Sequence, residues 1–542
     1  MNPAPICYLD SLSLRSQLSD GAEIALIDVR EPGQYGEGHP FLAVNLPYSR
    51  LELDAIRLLP RLDVRIVLID ADDGVAQRAH ARLTAAGYGN LAVLTGGAPA
   101  WPASGCALFK GVNVPSKTFG ELVEQICHTP HLSAIELQGR LLANEPVLLV
   151  DGRTPAEHRK MTLPGALPIP NGELALRIPA LLTDTSTPVV IHCAGRTRSI
   201  IGAQTLRHLG LTNPVLALEN GTQGWRLAGL DLEHDSPRTL PPKQQSQLKE
   251  AARHFAARAG APELDTASAQ AWLDDRYRST YVFDIRSAKE YEAGTLPGAL
   301  HAPGGQLIQA TDQYVAVRHA RILVLDDEGV RAPTVAAWLR QLGFESATLS
   351  LGIHAPLKIS ARSAPYLPPL PWQLDSAEMR SLIEAGARII DLRASLAYRA
   401  AHLQGARWSI RPRLAKHAEN MPMLLIADNP ALAALAVQDL HESGAIESYM
   451  VDWQTVLDSG LPIEASPDLP SDDDAIDYLF FVHDRHDGNL DAARRYLEWE
   501  TGLISQCMPN ELAIFNPLPP DRPSFSTQNF STQNSHRAHS TP

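Results

Sequence analysis

An apolar strand pattern that ends in Asp-x-Arg occurs four times in this chain of 542 residues, at 24–30, 147–153, 281–286 and 388–393. A helical pattern precedes each copy. Two further strand patterns follow it, and the second leads into a helix that ends near a glycine. Strands that alternate with helices predict βα units, in which a mostly parallel sheet is flanked by helices. Each repeat spans about 100 residues, which is too large for a solenoid unit and fits a globular domain.

We therefore expect four tandem α/β domains, and the chain length agrees with about 150 residues per domain. The predicted domains are residues 8–109, 129–235, 263–355 and 372–465. A polar linker that contains a helix is expected at 236–262, and a helical C-terminal extension at 466–516. Residues 517–542 contain the segment Phe-Ser-Thr-Gln-Asn twice and few apolar side chains, and this composition predicts a disordered tail.

The composition excludes several classes of protein. A net charge of −14 argues against broad binding of nucleic acid, which needs a basic face. No stretch approaches the ~18–20 consecutive apolar residues of a membrane span, and the N-terminus lacks the cationic and apolar segments of a secretory signal. Five cysteines without a Cys-x-x-Cys pair are too few and too scattered for a disulfide framework or a structural zinc site. We expect a cytoplasmic protein with reduced thiols and with no nucleic-acid or membrane partner.

One repeat has a cysteine where the other three have none. When the repeats are aligned on the glycines that end the helix after the third strand, Cys193 falls in register with Asp70, Asp326 and Ala427. This position is the C-terminal end of a central strand at the entry to a helix, where open parallel α/β sheets bind ligands. Cys193 is therefore the candidate nucleophile. The alternative is a small buried apolar side chain, and the loop that follows argues against it.

The loop after Cys193 has the composition of an anion-binding site. Its N–H groups and the helix dipole favour negative charge at the sulfur, and two arginines add positive charge, so we expect a thiolate there. The predicted substrate-binding residues are those of the loop and the helix start: Ala194, Gly195, Arg196, Thr197, Arg198 and Ser199. For Arg198 we favour anion binding over a surface ion pair, whereas for Arg196 both roles are equally open.

Other polar residues of the repeats are expected to support the loop. Asp151 and Arg153 end the preceding strand pattern, and we interpret them as a structural pair that braces the loop rather than as catalytic groups. His192 is expected to pack within its strand. Arg331 matches Arg198 in the third repeat, where Asp326 and Asp327 oppose anion binding.

These residues resemble the rhodanese family of sulfurtransferases over residues 8–465. The resemblance rests on strand-Asp-x-Arg, the turn Leu-Pro-Gly-Ala at 163–166 and 296–299, the strand-cysteine-loop-helix sequence, and the closing turn with glycine and tryptophan. The whole chain looks like the four-domain rhodanese-related sulfurtransferases of bacteria. The resemblance implies that Cys193 is the catalytic cysteine and that Cys193 to Arg198 form the active-site loop. It also implies that the first, third and fourth domains, which lack the cysteine, are inactive.

The reaction implied by the resemblance is a double displacement. The Cys193 thiolate takes the outer sulfur of an anionic donor such as thiosulfate, and a thiophilic acceptor, cyanide or a thiol, removes it from the resulting persulfide. No metal and no organic cofactor is expected, because the sequence has no clustered ligands, Walker loop or dinucleotide fingerprint.

Two alternatives remain open. A cysteine phosphatase or arsenate reductase of the same fold needs one residue more between the cysteine and the arginine than the four found here. A scaffold or sulfur-relay protein would pass the persulfide sulfur to a protein partner, and three inactive domains are consistent with that role.

Overall fold

Four parallel sheets with the same strand order follow one another in the computed structural model, which describes residues 6–243, 247–360, 367–417, 421–445 and 447–519. Three short strands fall outside this shared order: one extends the first sheet, and the other two pair with each other. The strands of each sheet, counted along the chain, then lie in the order first, fifth, fourth, second, third. Parallel neighbours need crossover connections, and helices supply them. The predicted fold class, tandem α/β units with parallel sheets flanked by helices, is confirmed.

The first sheet is built from continuous apolar runs. Its strands are β1 (Cys7–Leu9), β2 (Ile24–Asp28), β3 (Val44–Asn45), β4 (Arg65–Ile69) and β5 (Leu91–Leu94). Its helices are α1 (Ser11–Leu18), α2 (Pro32–Glu37), α3 (Leu51–Leu58), α4 (Val75–Ala85) and α5 (Gly97–Ala100). Every residue of β2 is buried, as expected for a parallel strand that is covered on both faces. A longer helix, α6 (Val114–Cys127), leads to the second sheet.

The second sheet contains the candidate cysteine. Its strands are β6 (His131–Leu132), β7 (Leu148–Asp151), β8 (Leu167–Pro168), β9 (Val189–His192) and β10 (Val215–Leu218). Its helices are α7 (Ala134–Leu142), α8 (Pro155–Lys160), α9 (Leu174–Arg177), α10 (Thr197–His208) and α11 (Gly221–Leu227). Strand β9 lies between β7 and β10, and its register pairs Asp151 with His192. The carboxyl ends of β7 and β9 therefore meet, which brings the Asp-x-Arg motif next to Cys193.

The third sheet is joined to the first by a strand pair. Helix α12 (Lys249–Arg258) precedes it, inside the segment for which a helical linker is predicted. Its strands are β11 (Glu263–Leu264), β12 (Thr280–Asp284), β13 (Leu300–His301), β15 (Arg321–Leu325) and β16 (Glu345–Leu349), and the remaining strand is β14 (Val317–Arg318). Its helices are α13 (Thr266–Asp274), α14 (Ala288–Ala293), α15 (Gly304–Gln309) and α16 (Arg331–Gln341). Strand β14 pairs antiparallel with β2 and so extends the first sheet.

The fourth sheet repeats the strand order with shorter strands. They are β17 (Trp372–Gln373), β18 (Arg388–Asp391), β20 (Arg407–Trp408), β21 (Met423–Ile426) and β22 (Ser448–Val451), while β19 (His402–Leu403) pairs with β23 (Ile463–Glu464). Its helices are α17 (Ser376–Glu384), α18 (Ser395–Ala400), α19 (Pro430–Glu442) and α20 (Trp453–Asp458). The C-terminal extension then forms α21 (Leu490–Thr501), α22 (Leu503–Gln506) and α23 (Pro509–Leu512).

The extension packs onto the domains, and its order continues past the predicted boundary. Phe515 joins a buried apolar cluster that also contains Leu68, Ile200 and Trp338, one from each of the first three domains. Leu518, which falls in the predicted tail, donates its N–H to a side-chain oxygen of Gln341 at 2.8 Å. The rest of the predicted disordered tail, from 520 onward, lies outside the described residues. In the described ranges, no helix has both the length and the apolar character that a membrane crossing requires.

Candidate active site

Cys193 follows β9 directly and begins the loop that enters α10. It is buried, with 2% of its surface exposed. The thiol donates a hydrogen bond to Oγ of Ser199 over 3.8 Å, and the Ser199 hydroxyl donates to the carbonyl of Arg196 at 2.7 Å. The sequence predicts loop N–H groups around the sulfur, but within the described residues the hydrogen bond found at Sγ is the one to Ser199. Because a hydroxyl can rotate, Ser199 can also donate to a thiolate.

A glycine turn between the neighbouring strand β10 and α11 supports the backbone of Cys193. Gly221 has a φ of +53°, and a Cβ at this position would lie 2.2 Å from the Cys193 carbonyl oxygen. The N–H of Thr222 donates to the same oxygen at 2.8 Å. The turn recurs in two other domains, where a Cβ at Gly97 or Gly352 would meet the carbonyl oxygen of the residue in register with Cys193 at 2.5 and 1.9 Å. Only glycine fits so close to this carbonyl.

The guanidinium of Arg198 is held by Glu157, which follows the Asp-x-Arg motif of the same repeat. Its Nη1 and Nη2 donate to the two oxygens of Glu157 at 2.9 and 2.8 Å. Glu157 in turn forms a capping box with Thr154 at the start of α8, so its position is fixed by the helix. Burial opposes ionisation of Glu157, but the bonds and charge of Arg198 prevail and lower the pKa of Glu157 to about 2. Arg198 is therefore engaged in a bidentate ion pair in this structure.

Arg196 is also neutralised, by two carboxylates from α6. Its Nε donates to Glu121 at 2.8 Å and its Nη2 donates to the other Glu121 oxygen at 3.0 Å and to Glu124. Burial raises the pKa of Glu121 to about 7, although Arg196 opposes that rise. Both loop arginines thus have carboxylate partners, and their role in substrate binding remains a prediction.

Asp151 and Arg153 form a buried pair beside the loop. Arg153 Nε and Nη2 donate to Asp151 at 2.9 and 2.8 Å, and Thr162 Oγ1 donates to the same carboxylate at 2.9 Å. Burial opposes ionisation of Asp151, but its interactions with His192 and Arg153 hold the pKa of Asp151 well below its usual range. The same pair occurs in all four repeats, as Asp28–Arg30, Asp284–Arg286 and Asp391–Arg393. Because it is present with and without the cysteine, its occurrence supports a structural brace.

The residues in register with Cys193 show what the loop does without a thiol. Asp326 accepts hydrogen bonds from the N–H groups of Gly329, Val330 and Ala332 at 2.9–3.0 Å. Asp70 accepts from Asp72 and Ala76 at 2.9 and 3.0 Å. A carboxylate therefore caps the helix start in the first and third domains. In the fourth domain Ala427 has no side-chain acceptor for this purpose.

Arg331, the match to Arg198 in the third domain, is fully buried among carboxylates. It donates to Glu290, the match to Glu157, at 2.8 and 3.0 Å, and to Glu173 of the second domain at 2.7 Å. Asp327 and Glu328 also contact its guanidinium. The Arg331 group therefore ties the third domain to the second.

The C-terminal extension reaches the Cys193 loop, which the sequence alone did not indicate. Glu500 of α21 accepts a hydrogen bond from Thr197 Oγ1 at 2.7 Å, and a Cβ at Gly195 would meet Glu500 and Tyr496 at 2.9 Å. Lys117 of α6 approaches Glu500 to 3.5 Å. The sequence does contain an indication of this contact. Glu500 falls at helical spacing with Ala493, Tyr496 and Leu497, which are buried. A charged residue on the apolar face of a helix indicates a buried partner.

A parallel α/β sheet with a buried cysteine at the start of a strand-to-helix loop defines a class of domain suited to cysteine nucleophilic chemistry. A family model described as "Rhodanese-like domain" matches residues 12–104, 133–228 and 266–355. The chain belongs to the rhodanese family. The matched segments lie in the first three domains, and the fourth sheet shares their strand order.

Two known proteins show how much of the chain is similar to other members of the family. A solved structure described as thiosulfate sulfurtransferase from Pseudomonas aeruginosa is 38% identical, covers 95% of this chain and 100% of its own, and superposes with a TM-score of 0.86. A curated protein named sulfurtransferase from Allochromatium vinosum is 36% identical over 96 residues, which is 18% of this chain and 87% of that protein. The first comparison extends over all four domains.

Proposed function

We propose that the chain is a sulfurtransferase in which Cys193 receives sulfane sulfur from an anionic donor such as thiosulfate and passes it to a thiophilic acceptor. The observation that favours this activity is the presence of a cysteine, Cys193, at the end of β9. Of the four residues in register there, Cys193 is the one with a sulfur nucleophile, whereas Asp70 and Asp326 cap their helices with carboxylates and Ala427 is inert.

In the proposed first step, the Cys193 thiolate attacks the outer sulfur of thiosulfate. The sulfur–sulfur bond of thiosulfate breaks, sulfite leaves with the electron pair, and a Cys193 persulfide remains. In the second step cyanide or a thiol attacks the outer sulfur of the persulfide and restores the thiolate. The start of α10 favours negative charge on both forms of the cysteine, and Ser199 supplies a donor.

Mass spectrometry of the intact protein and its peptides after exposure to thiosulfate tests the proposal. We expect one added sulfur, located on Cys193, and its loss when cyanide is added. Cys193→Ser should abolish both the added sulfur and the formation of thiocyanate. Cys7→Ser is the matched control, because Cys7 is exposed and distant in sequence, and this variant should keep full activity. Full turnover by Cys193→Ser would overturn the proposal.

The same experiment distinguishes the acceptor. Rapid turnover with cyanide or small thiols supports the enzyme as described here. A persulfide that forms on Cys193 but is released only to a protein would instead indicate the sulfur-relay role.

A further inference from the structure

Glu500 places a buried carboxylate against the outside of the Cys193 loop. The residue is fully buried, and its Oε1 accepts the bond from Thr197, the first residue of α10. Its Oε2 is also buried and accepts no hydrogen bond among the described residues. This second oxygen lies beside Gly195, where an added Cβ would meet it and a ring carbon of Tyr496 at 2.9 Å. This oxygen of the carboxylate therefore faces the loop without a hydrogen-bond donor among the described residues.

Lys117 is the cation that pairs with Glu500, and it approaches the oxygen that also accepts the bond from Thr197. The Lys117 ammonium is 3.5 Å from Oε1 and sits over the rings of Tyr496 and Trp499, at 4.8 and 5.4 Å from their centroids. Burial opposes ionisation of Glu500, but the Lys117 charge and the bond from Thr197 keep its pKa below the ordinary value. The pair is therefore ionised, and its negative end faces the loop.

The arginines of the loop are shared with other carboxylates, although the charge of Arg196 also acts on Glu500. Arg196 is held by Glu121 and Glu124, and Arg198 is held by Glu157. In the first and third domains the helix start is capped by the aspartate in register with Cys193. In the second domain Cys193 supplies no carboxylate at the helix start, and the carboxylate there is Glu500 of the C-terminal extension.

We infer that Glu500 is a specificity-determining residue of the Cys193 loop, where its charge disfavours doubly charged donors relative to singly charged ones. This inference rests on the proposed function, because it concerns the sulfur donors that react with Cys193. Its physical basis is the repulsion between a buried carboxylate and an anion that approaches through a medium of low dielectric constant. A donor with two charges experiences about twice that repulsion.

Alkylation of Cys193 tests the charge effect without any sulfur transfer. Iodoacetate and iodoacetamide have nearly the same size and the same leaving group, and the cysteine thiolate displaces iodide from both, but the first is an anion. We expect wild-type Cys193 to react faster with iodoacetamide, and Glu500→Gln to reduce that preference by about threefold or more at low ionic strength. Peptide mass spectrometry assigns the rates to Cys193.

A matched control lies two residues earlier on the same helix. Glu498 is exposed, so Glu498→Gln changes the net charge equally and should leave the preference unchanged. Glu500→Asp keeps the charge but withdraws it from the loop, and should give a smaller change in the same direction. An unchanged preference in folded Glu500→Gln or Glu500→Asp would overturn the inference, as would a Cys193 that neither reagent alkylates.

Donor kinetics then connect the charge effect to turnover. Thiosulfate carries two negative charges and methanethiosulfonate carries one, and both present the same type of outer sulfur. Glu500→Gln should lower KM for thiosulfate about threefold and change KM for methanethiosulfonate by less. Equal loss of kcat with both donors would indicate a merely structural residue. If wild-type protein forms no persulfide while the alkylation preference still responds to Glu500, the proposed function fails and the charge effect stands.

Discussion

His192 is fully buried and directly precedes the candidate nucleophile Cys193. Its Nε2 is 3.3 Å from Thr162 Oγ1 and 3.7 Å from Asp151, and no part of the residue is exposed. Burial lowers the pKa of His192 from 6.5 to about 4, although the charge of Asp151 opposes the change. The imidazole is therefore neutral in the folded protein at neutral pH. This agrees with the packing role predicted from the sequence.

The lowered pKa of His192 makes the second domain sensitive to acid. Between pH 6.5 and pH 4 the unfolded chain binds a proton at His192 that the folded chain does not, so stability falls as pH decreases through this window. We expect the wild type to lose about 2 kcal/mol relative to His192→Gln between pH 7 and pH 5. Amide hydrogen exchange of β9 measures the difference.

The control for this prediction is a histidine on the surface. His441 is exposed on α19, and His441→Gln should follow the wild-type pH dependence. If His192→Gln and the wild type lose stability in parallel on acidification, the assignment of the effect to His192 is wrong.

At the scale of elements, the start of α11 and the loop after β9 form one unit. The glycine turn at Gly221 binds the carbonyl of Cys193, while Gln223 Nε2 donates to the carbonyl of Ala194 at 3.1 Å. These bonds fix the backbone of Cys193 and Ala194, and they come from the start of α11, which follows the adjacent strand β10, rather than from the loop itself. The fourth domain has Trp453 at the corresponding closing turn, and the backbone N–H of Trp453 donates to the side chain of Asp428.

Gly221→Ala should damage the Cys193 loop. The new Cβ would collide with the Cys193 carbonyl and would also require φ near +53°, so we expect a loss of about 3 kcal/mol in local stability and of persulfide formation. Gly229→Ala shares the positive φ, at +76°, but meets nothing within 4 Å, so it should cost about 1 kcal/mol and keep activity. Hydrogen exchange of β9 and the mass-spectrometric assay check both. Equal effects of the two substitutions would contradict the role of the contact.

At the scale of the whole molecule, the C-terminal extension connects all four domains. The carbonyl of Ile476 accepts from Gly33 of the first domain, and Asp477 accepts from Ser395 of the fourth, both at 2.8 Å. Helix α21 then contacts the Cys193 loop, and Asn516 donates to Gln341 of the third domain at 2.8 Å. Direct ion pairs such as Arg411–Glu52 add to these contacts. The candidate nucleophile Cys193 thus lies in a framework to which every domain contributes.

Phe515→Ala should loosen this framework. The Phe515 ring is 6.2 Å from the ring of Phe41 and 5.6 Å from that of Phe119, and only 8% of the residue is exposed. Removing a buried phenyl ring costs about 3 kcal/mol or more. We expect a lower urea midpoint of unfolding. Leu490→Ala, at a residue of the same extension that is 37% exposed, should stay within about 1 kcal/mol of the wild type. A comparable loss in both variants would argue against a specific role of Phe515.

The local order of strands, helices and turns could be predicted from the sequence, because each repeat contains its own apolar runs, caps and glycines. The four Asp-x-Arg pairs, the position of Cys193 at a strand end and the lack of a cysteine at the matching position of the other repeats follow from periodicity and register. These are short-range features, and the parallel sheet has few ways to accommodate them.

Only the tertiary structure determined the charge around the thiol. The sequence shows Arg196 and Arg198 as cations near Cys193, but their partners Glu121, Glu124 and Glu157 lie up to 75 residues away in the chain, and Glu500 more than 300. Electrostatic interactions depend on distance in space and on burial, neither of which can be read from sequence spacing. The sequence by itself thus determined the repeated α/β fold and the candidate nucleophile. The packing of α6 and the C-terminal extension determined which charges surround that nucleophile.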